Sequence, residues 1–494
     1  MEWPRELRYR RIEEVAECEI TDLKNRVDAC SHRQTFHIQP TTGLLNDPNG
    51  FSFYNGEYHL FYQWFPLGPV HGVKYWYHTA SKDLVNWENR GIALSPDCAL
   101  DSHGVFSGTA IEHNGLLYLM YTGNTRDENW IRHPYQCLAV MNEAGEIKKY
   151  PEAVIKNVPK GITDNFRDPK VFKIEDKFYC IVGAEKMTDE GNKGTVVYYE
   201  SSNLEEWTYK GEINTTFENN SGFMWECPDY FTLEGQGIML MSPQGMAPEG
   251  DKYQNVFQSG YLVGEPINFE TGIFNHGEFT ELDRGFEFYA PQTMEDPKGR
   301  RILVGWLGLP ELDCVTDESG WAHCLTLPRE LTVKNNKLIQ KPIEELKKLR
   351  HHRVEVKTTL NAESKKFMGF EGITYELQCR FTDLTQGRVG VKLRKSEQEE
   401  TVFYYDIENK KLVLNREKSG KMCGEEYGSI RQCHFEANEL RLQIFVDQSS
   451  VEIFVNDGEE VFTTRIFTKE ESQGIEFFAD SSVDLEATLW EIKK

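Results

Sequence analysis

The rhythm of apolar and polar residues changes along this chain. Leu7, Ile12, Val15, Ile20, Leu23 and Val27 recur at roughly helical spacing with charges between them. This predicts one short amphipathic N-terminal helix with a packing role. From about residue 36 the period shortens to that of strands. Short runs rich in aromatic and β-branched residues are bounded by Asn-Gly, Glu-Gly and Pro-containing turns, the pattern of strands joined by hairpins. Beyond residue 353 the period-2 alternation returns at 373–381, 442–446, 451–455 and 485–492, with Asn456-Asp457-Gly458 marking a hairpin.

Within the middle stretch a longer period is visible. Asn46-Asp47-Pro48-Asn49-Gly50, Phe106-Ser107-Gly108, Phe166-Arg167-Asp168-Pro169, Glu226-Cys227-Pro228 and Tyr289-Ala290-Pro291 each precede a strand, a turn and a second strand. A later element also recurs: Ser81 to Trp87 (SKDLVNW) resembles Ser202 to Trp207 (SNLEEW). Five repeats of about 60 residues, each with room for four strands, predict a five-bladed β-propeller. In that fold the repeat openings meet at one end of the central axis, so residues far apart in sequence can build one site. The expected organisation is all-β: an N-terminal helical extension (1–35), the propeller (36–333), a basic linker with a short helix (334–352) and a C-terminal β-sandwich (353–494).

Composition narrows the function. At 494 residues the chain is too long for one core, and 39% hydrophobic with 27% charged residues is a globular balance. A net charge of −24 repels nucleic acid and anionic membranes and says little about a small neutral substrate. An anionic one would need a local basic pocket working against the overall field. The 11 cysteines include no C-x-x-C pair, so free thiols in a reducing compartment are expected. The first twenty residues are charged throughout and no apolar run reaches membrane-spanning length. The expectation is a cytoplasmic protein with no metal and no cofactor; His351-His352 lie in the basic stretch and read as surface. An exposed sandwich face leaves room for a homodimer.

Three of the five repeat openings carry an acid: Asp47, Asp168 and Glu226. Each motif has an ordinary structural reading. N-D-P-N-G is a turn sequence, Arg167-Asp168 can be an ion pair, and E-C-P can open a strand. Their common phase in the repeat is what points to chemistry. Carboxylates gathered on one floor push their pKa values apart, as acid/base work on a glycosidic bond requires.

These stretches resemble glycoside hydrolase family 32, the invertases and fructanases. The matching segments are HIQPTTGLLNDPNG (37–50), FSG (106–108), FRDP (166–169), WECPD (225–229), YAPQ (289–292), GWAHCLTLPREL (320–331) and FVDQSSVEIFVNDG (445–458). The resemblance implies a retaining β-fructofuranosidase with a propeller and a β-sandwich. It implies Asp47 as nucleophile, Glu226 as general acid/base kept protonated by burial and neighbouring charge, and Asp168 as transition-state stabiliser. It also implies fructosyl contacts from Asn46, Gln63, Phe106, Ser107 and Arg167, with Trp76 and Trp306 as further candidates. Leu44-Leu45 stands where many members have a Trp before the Asn, which alters the expected pocket wall.

GPVHGVKYW (68–76) and the N-terminal helix are similar to family members that act on phosphorylated sucrose. That substrate would need cations near the cleft mouth, and Lys74, His71, Arg132 and His133 are the candidates. The alternatives are an invertase or fructanase acting on unphosphorylated sugar, an inverting propeller hydrolase acting on arabinans, and a non-catalytic sugar-binding propeller.

Overall fold

The computed structural model describes residues 3–493. Five antiparallel sheets precede residue 343, and each predicted repeat opening lies in the first strand of one of them. Those first strands are Gly43–Tyr54, Val105–His113, Ile162–Ile174, Met224–Leu233 and Tyr289–Glu295. They pack side by side in a closed circuit, the fifth against the first. A separate apolar cluster fills each gap between neighbouring sheets. Phe61 and Trp76 meet Tyr121; Leu138 meets Phe166; Ile181 meets Trp225; Ile238 meets Leu303; and Tyr289 with Val304 meets Tyr62. The circuit is also tied by hydrogen bonds. Trp321–Ala322, from the fifth sheet's connection, pairs in parallel with Gly43 and Leu44, while Cys324–Leu325 pairs with Arg301–Leu307.

The turns follow the sequence chemistry. Asn55-Gly56, Asn114-Gly115 and Glu234-Gly235 all have positive φ at both residues, the geometry a tight two-residue hairpin needs. The repeat openings share another device. The first-strand register shifts between Leu45 and Pro48, Val105 and Gly108, Glu226 and Asp229, and Tyr289 and Gln292, and the strand opposite Arg167 and Lys170 shifts likewise. Each sheet therefore carries a bulge at the same level, and a bulge re-aims the side chains at that point.

Two segments differ from expectation. The N-terminal segment is a short helix (Arg5–Arg8), a 3-10 turn (Ile12–Glu14) and a second helix (Glu17–Asp28), not one helix. Tertiary bonds break it. The Val73 N–H donates to the Arg8 carbonyl at 2.7 Å, and the Ile12 N–H donates to Tyr75 Oη at 3.1 Å. The stretch expected as a linker begins instead with the outer hairpin of the fifth sheet. Strands Arg329–Lys334 and Lys337–Pro342 are joined by Asn335 and Asn336, both at positive φ. Its lysines are those of a solvated edge, and the helical part is a 3-10 turn (Glu344–Leu349) burying Leu346 and Leu349.

The C-terminal part is two six-stranded sheets facing across one apolar core. Asn456, Asp457 and Gly458 form a positive-φ turn between Ser450–Val455 and Glu460–Arg465. Buried charges join the two parts: His37 bridges Asp447 (2.7 Å) and Glu452 (3.1 Å), and Arg329 bridges Asp283 (3.1 Å) and Glu452 (2.7 Å). No helix among the described residues is long and apolar enough to cross a membrane.

Candidate active site

The bulges turn Asp47, Asp168 and Glu226 into one cleft of about 720 Å³ at the end of the ring. Asp47 accepts hydrogen bonds from Ser107 Oγ (2.5 Å), Asn46 Nδ2 (3.1 Å) and the Cys227 thiol (3.6 Å). Behind it, Lys74 Nζ donates to Asn46 Oδ1 at 2.7 Å, Asn46 donates to Gln63 at 3.0 Å, and Gln63 donates to Ser107. Four side chains thus fix one carboxylate from behind. Asp168 sits at φ 68°, accepts the Cys227 N–H at 3.0 Å and has Arg167 Nε at 3.9 Å. Glu226 accepts from Arg167 Nε (3.1 Å) and Nη2 (2.7 Å) on one oxygen, and from Tyr289 Oη (2.7 Å) and Gln244 (2.8 Å) on the other.

Burial raises the Asp47 carboxyl above its ordinary range, the Ser107 hydrogen bond opposes it, and the Glu226 charge adds to it. Burial also lifts Asp168 to about 7; Arg167 opposes the rise, while Glu226 and Asp47 reinforce it. Burial lowers Lys74 to about 7 against the pull of Asp47. The three acids face two basic groups, of which Arg167 keeps its charge while Lys74 titrates near neutrality. Burial and the surrounding acids hold the Cys227 thiol well above its usual range. The Asp47, Asp168 and Cys227 donor atoms lie within 4.8 Å of one another, close enough for a small cation. In this structure the Cys227 thiol donates to Asp47 at 3.6 Å.

Leu44, Asn46, Gln63, Lys74, Phe106, Arg167 and Trp306 line the cleft. Ser107 stands behind Asp47. Leu45 and Trp76, expected to contact substrate, face elsewhere. Leu45 lies on the opposite face of its strand from Leu44, in the core between the first and fifth sheets. Trp76 is wholly buried between the first and second sheets, where its indole donates to the Phe106 carbonyl at 2.9 Å. Of the cation candidates, Lys74 belongs to the floor rather than the mouth. His71 is held neutral by burial and by Lys74. His133 pairs with Asp127 at 3.2 Å. Arg132 does line the cleft.

Tyr289 and Gln244 complete the Glu226 cradle. Tyr289 occupies the fifth repeat opening, so the repeat phase alone could have singled it out. Gln244 carries no such signal. Trp3, Arg5, Arg8 and Tyr9 also line the cleft, although their spacing spoke only of a packing helix.

Acids clustered at one end of a ring of sheets, one nested in donors and another supported from behind, suit acid/base cleavage of a glycosidic bond. Comparison with known proteins agrees. Residues 37–342 match the glycosyl hydrolases family 32 N-terminal domain and residues 345–491 the family 32 C-terminal domain. The chain belongs to glycosyl hydrolases family 32. It is 43% identical to the sucrose-6-phosphate hydrolase of Staphylococcus xylosus, covering 100% of this chain and 99% of that protein. It is 38% identical to that of Bacillus subtilis, with 98% of each covered. Among solved structures it is similar to sucrose-6-phosphate hydrolase from Lactobacillus gasseri (TM-score 0.92, 37% identity, 100% and 99% covered). It is also similar to the Bombyx mori β-fructofuranosidase (TM-score 0.83, 33% identity, 97% of each covered).

Proposed function

We propose that this protein is a retaining β-fructofuranosidase that hydrolyses sucrose 6-phosphate to glucose 6-phosphate and fructose in the cytoplasm. The observation that carries the chemistry is the contrast between two acids of one floor. Asp47 is fixed from behind by Ser107 and Asn46, while Glu226 is cradled by Arg167, Tyr289 and Gln244. The curated sucrose-6-phosphate hydrolases that match the whole chain support the phosphorylated substrate, and eleven free thiols suit the compartment.

In this reading Asp47 attacks the anomeric C2 of the fructosyl unit. Glu226 delivers a proton to the leaving glycosidic oxygen. Water then cleaves the fructosyl-enzyme with Glu226 as base. Asp168, backed by Arg167 and the Cys227 N–H, takes the fructosyl hydroxyls. Asn46, Gln63 and Phe106 shape the subsite around them.

The test is kcat/KM for sucrose 6-phosphate against sucrose at one pH and ionic strength. A preference of about a hundredfold, roughly 2.7 kcal/mol, is expected for the phosphorylated sugar. Equal values would reduce the assignment to a general invertase. The configuration of fructose at first release, read by NMR, tests retention: an inverted product would exclude Asp47 as nucleophile.

A further inference from the structure

Two features similar to family members that act on phosphorylated sucrose, the N-terminal segment and the 68–76 stretch, form one unit here. Gly68 and Gly72 are where they touch. A Cβ on Gly72 would lie 2.4 Å from the Arg8 carbonyl oxygen, and one on Gly68 would lie 2.1 Å from the Trp3 ring. Only glycine lets the segment lie this close. Val73 then takes the Arg8 carbonyl, Trp3 meets Phe65 edge-on at 6.1 Å, and Tyr75 Oη donates to Glu13 at 2.8 Å. The segment is thereby laid along the cleft, which Trp3, Arg5, Arg8 and Tyr9 line.

That lining is cationic. The Arg5 guanidinium stacks 4.0 Å from the centre of the Trp130 ring, against whose edge Tyr9 packs at 5.1 Å. Trp130 belongs to the turn leading to Arg132, which lies 5.9 Å from the Phe106 ring on the cleft wall. Among the described residues Arg5, Arg8 and Arg132 form no ion pair, and Arg132 Nε is buried without a partner. The same cleft is also lined by Glu311 and Asp313, but in a chain of net charge −24 three arginines without acid partners give it a distinct cationic side. Their position follows from the acid. Arg132 and Arg167 both donate to Asn165 Oδ1 at 3.0 Å, and Arg167 holds Glu226. The arginines therefore lie on the side where Glu226 meets the departing sugar.

We infer that Arg132, together with Arg5 and Arg8 of the N-terminal segment, binds the phosphate of the leaving glucosyl unit and sets the preference for a phosphorylated substrate. The inference rests on the substrate reading above. A phosphate monoester carries close to two charges at neutral pH, and guanidinium forks match its oxygens in pairs. Lys74, buried under Asn46, has no part in it.

The test compares wild type with Arg132→Gln and with the Arg5→Gln/Arg8→Gln double variant, each on sucrose 6-phosphate and on sucrose. The double variant alters only exposed side chains, so folding is not at risk. Each is expected to lower the ratio of the two kcat/KM values by about tenfold or more, the fall lying in the phosphorylated substrate. Product inhibition by glucose 6-phosphate should weaken in parallel, while inhibition by fructose should not. A wild-type ratio retained in both variants overturns the arginine assignment and leaves the substrate reading standing. An equal fall on both substrates overturns it too, by making the arginines structural. A wild type that shows no preference overturns the substrate reading itself, and the arginine assignment with it.

Discussion

Ser107 Oγ donates a hydrogen bond to Asp47 Oδ2 at 2.5 Å, from the second sheet to the first across 60 residues of chain. Burial drives Asp47 toward its neutral form and Ser107 works against it. Without that donor the carboxylate is harder to ionise. Ser107→Ala is therefore expected to move the acid limb of the kcat/KM profile to higher pH. It should also cost about tenfold in kcat/KM near neutrality, the worth of a hydrogen bond to a charged group. An acid limb left in place would show that Ser107 only fills space.

Glu226 is assigned the proton that the leaving sugar needs. Glu226→Gln keeps the shape and removes the proton, so kcat/KM on sucrose 6-phosphate should fall by about 10²–10⁴-fold. A fructosyl fluoride, whose leaving group needs no proton, should lose far less. Equal losses on both substrates would move the acid role elsewhere.

The alkaline limb has a definite place. Asp168 is raised to about 7 by burial, against Arg167 and with help from Glu226 and Asp47. Below that pH the coupled acids share a proton that the leaving oxygen can receive; above it that proton is lost. Activity of the free enzyme should fall as pH rises through about 7, and the midpoint belongs to the group rather than to one residue. Asp168→Asn should displace that midpoint as well as slow the reaction. A profile flat to pH 9 would contradict the shared proton.

His37 governs stability rather than catalysis. Burial opposes its charge, but hydrogen bonds to Asp447 and Glu452 outweigh this and raise it to about 9. A raised histidine stabilises the fold fully below its unfolded value of about 6.5, and the contribution is lost as pH climbs through about 9. Its partners Asp447 and Glu452 are lowered, so their contribution fades only in acid. His37→Ala takes the cationic partner from buried Asp447, while Glu452 keeps Arg329, and is expected to cost about 3–5 kcal/mol in urea unfolding at pH 7. The wild type should lose stability between pH 7 and 10 more steeply than the variant. Parallel slopes would show that His37 is not the titrating group.

Much of this protein is legible from its sequence, because the features involved are local or periodic. Asn-Gly turns demand positive φ wherever they fall, so the hairpins at 55–56 and 114–115 need no tertiary information. The repeat phase put Asp47, Asp168 and Glu226 at equivalent places, and the bulges of the first strands act at that phase. What the tertiary structure alone decided is direction and neighbourhood. Leu44 borders the cleft from an apolar cluster with Ala322 and Phe467 while Leu45 turns into the core between the first and fifth sheets, because a strand shows alternate residues to opposite faces, and neither composition nor period says which. Trp76 is lost to the gap between two sheets, and Lys74 is drawn under Asn46, away from the mouth. Gln244 reaches Glu226 from a strand with no motif of its own. The N-terminal segment has helical periodicity in isolation, yet two glycines more than sixty residues away let it lie along the cleft as a basic lining. Contacts between residues far apart in the chain set these outcomes, through packing that no single stretch of sequence contains.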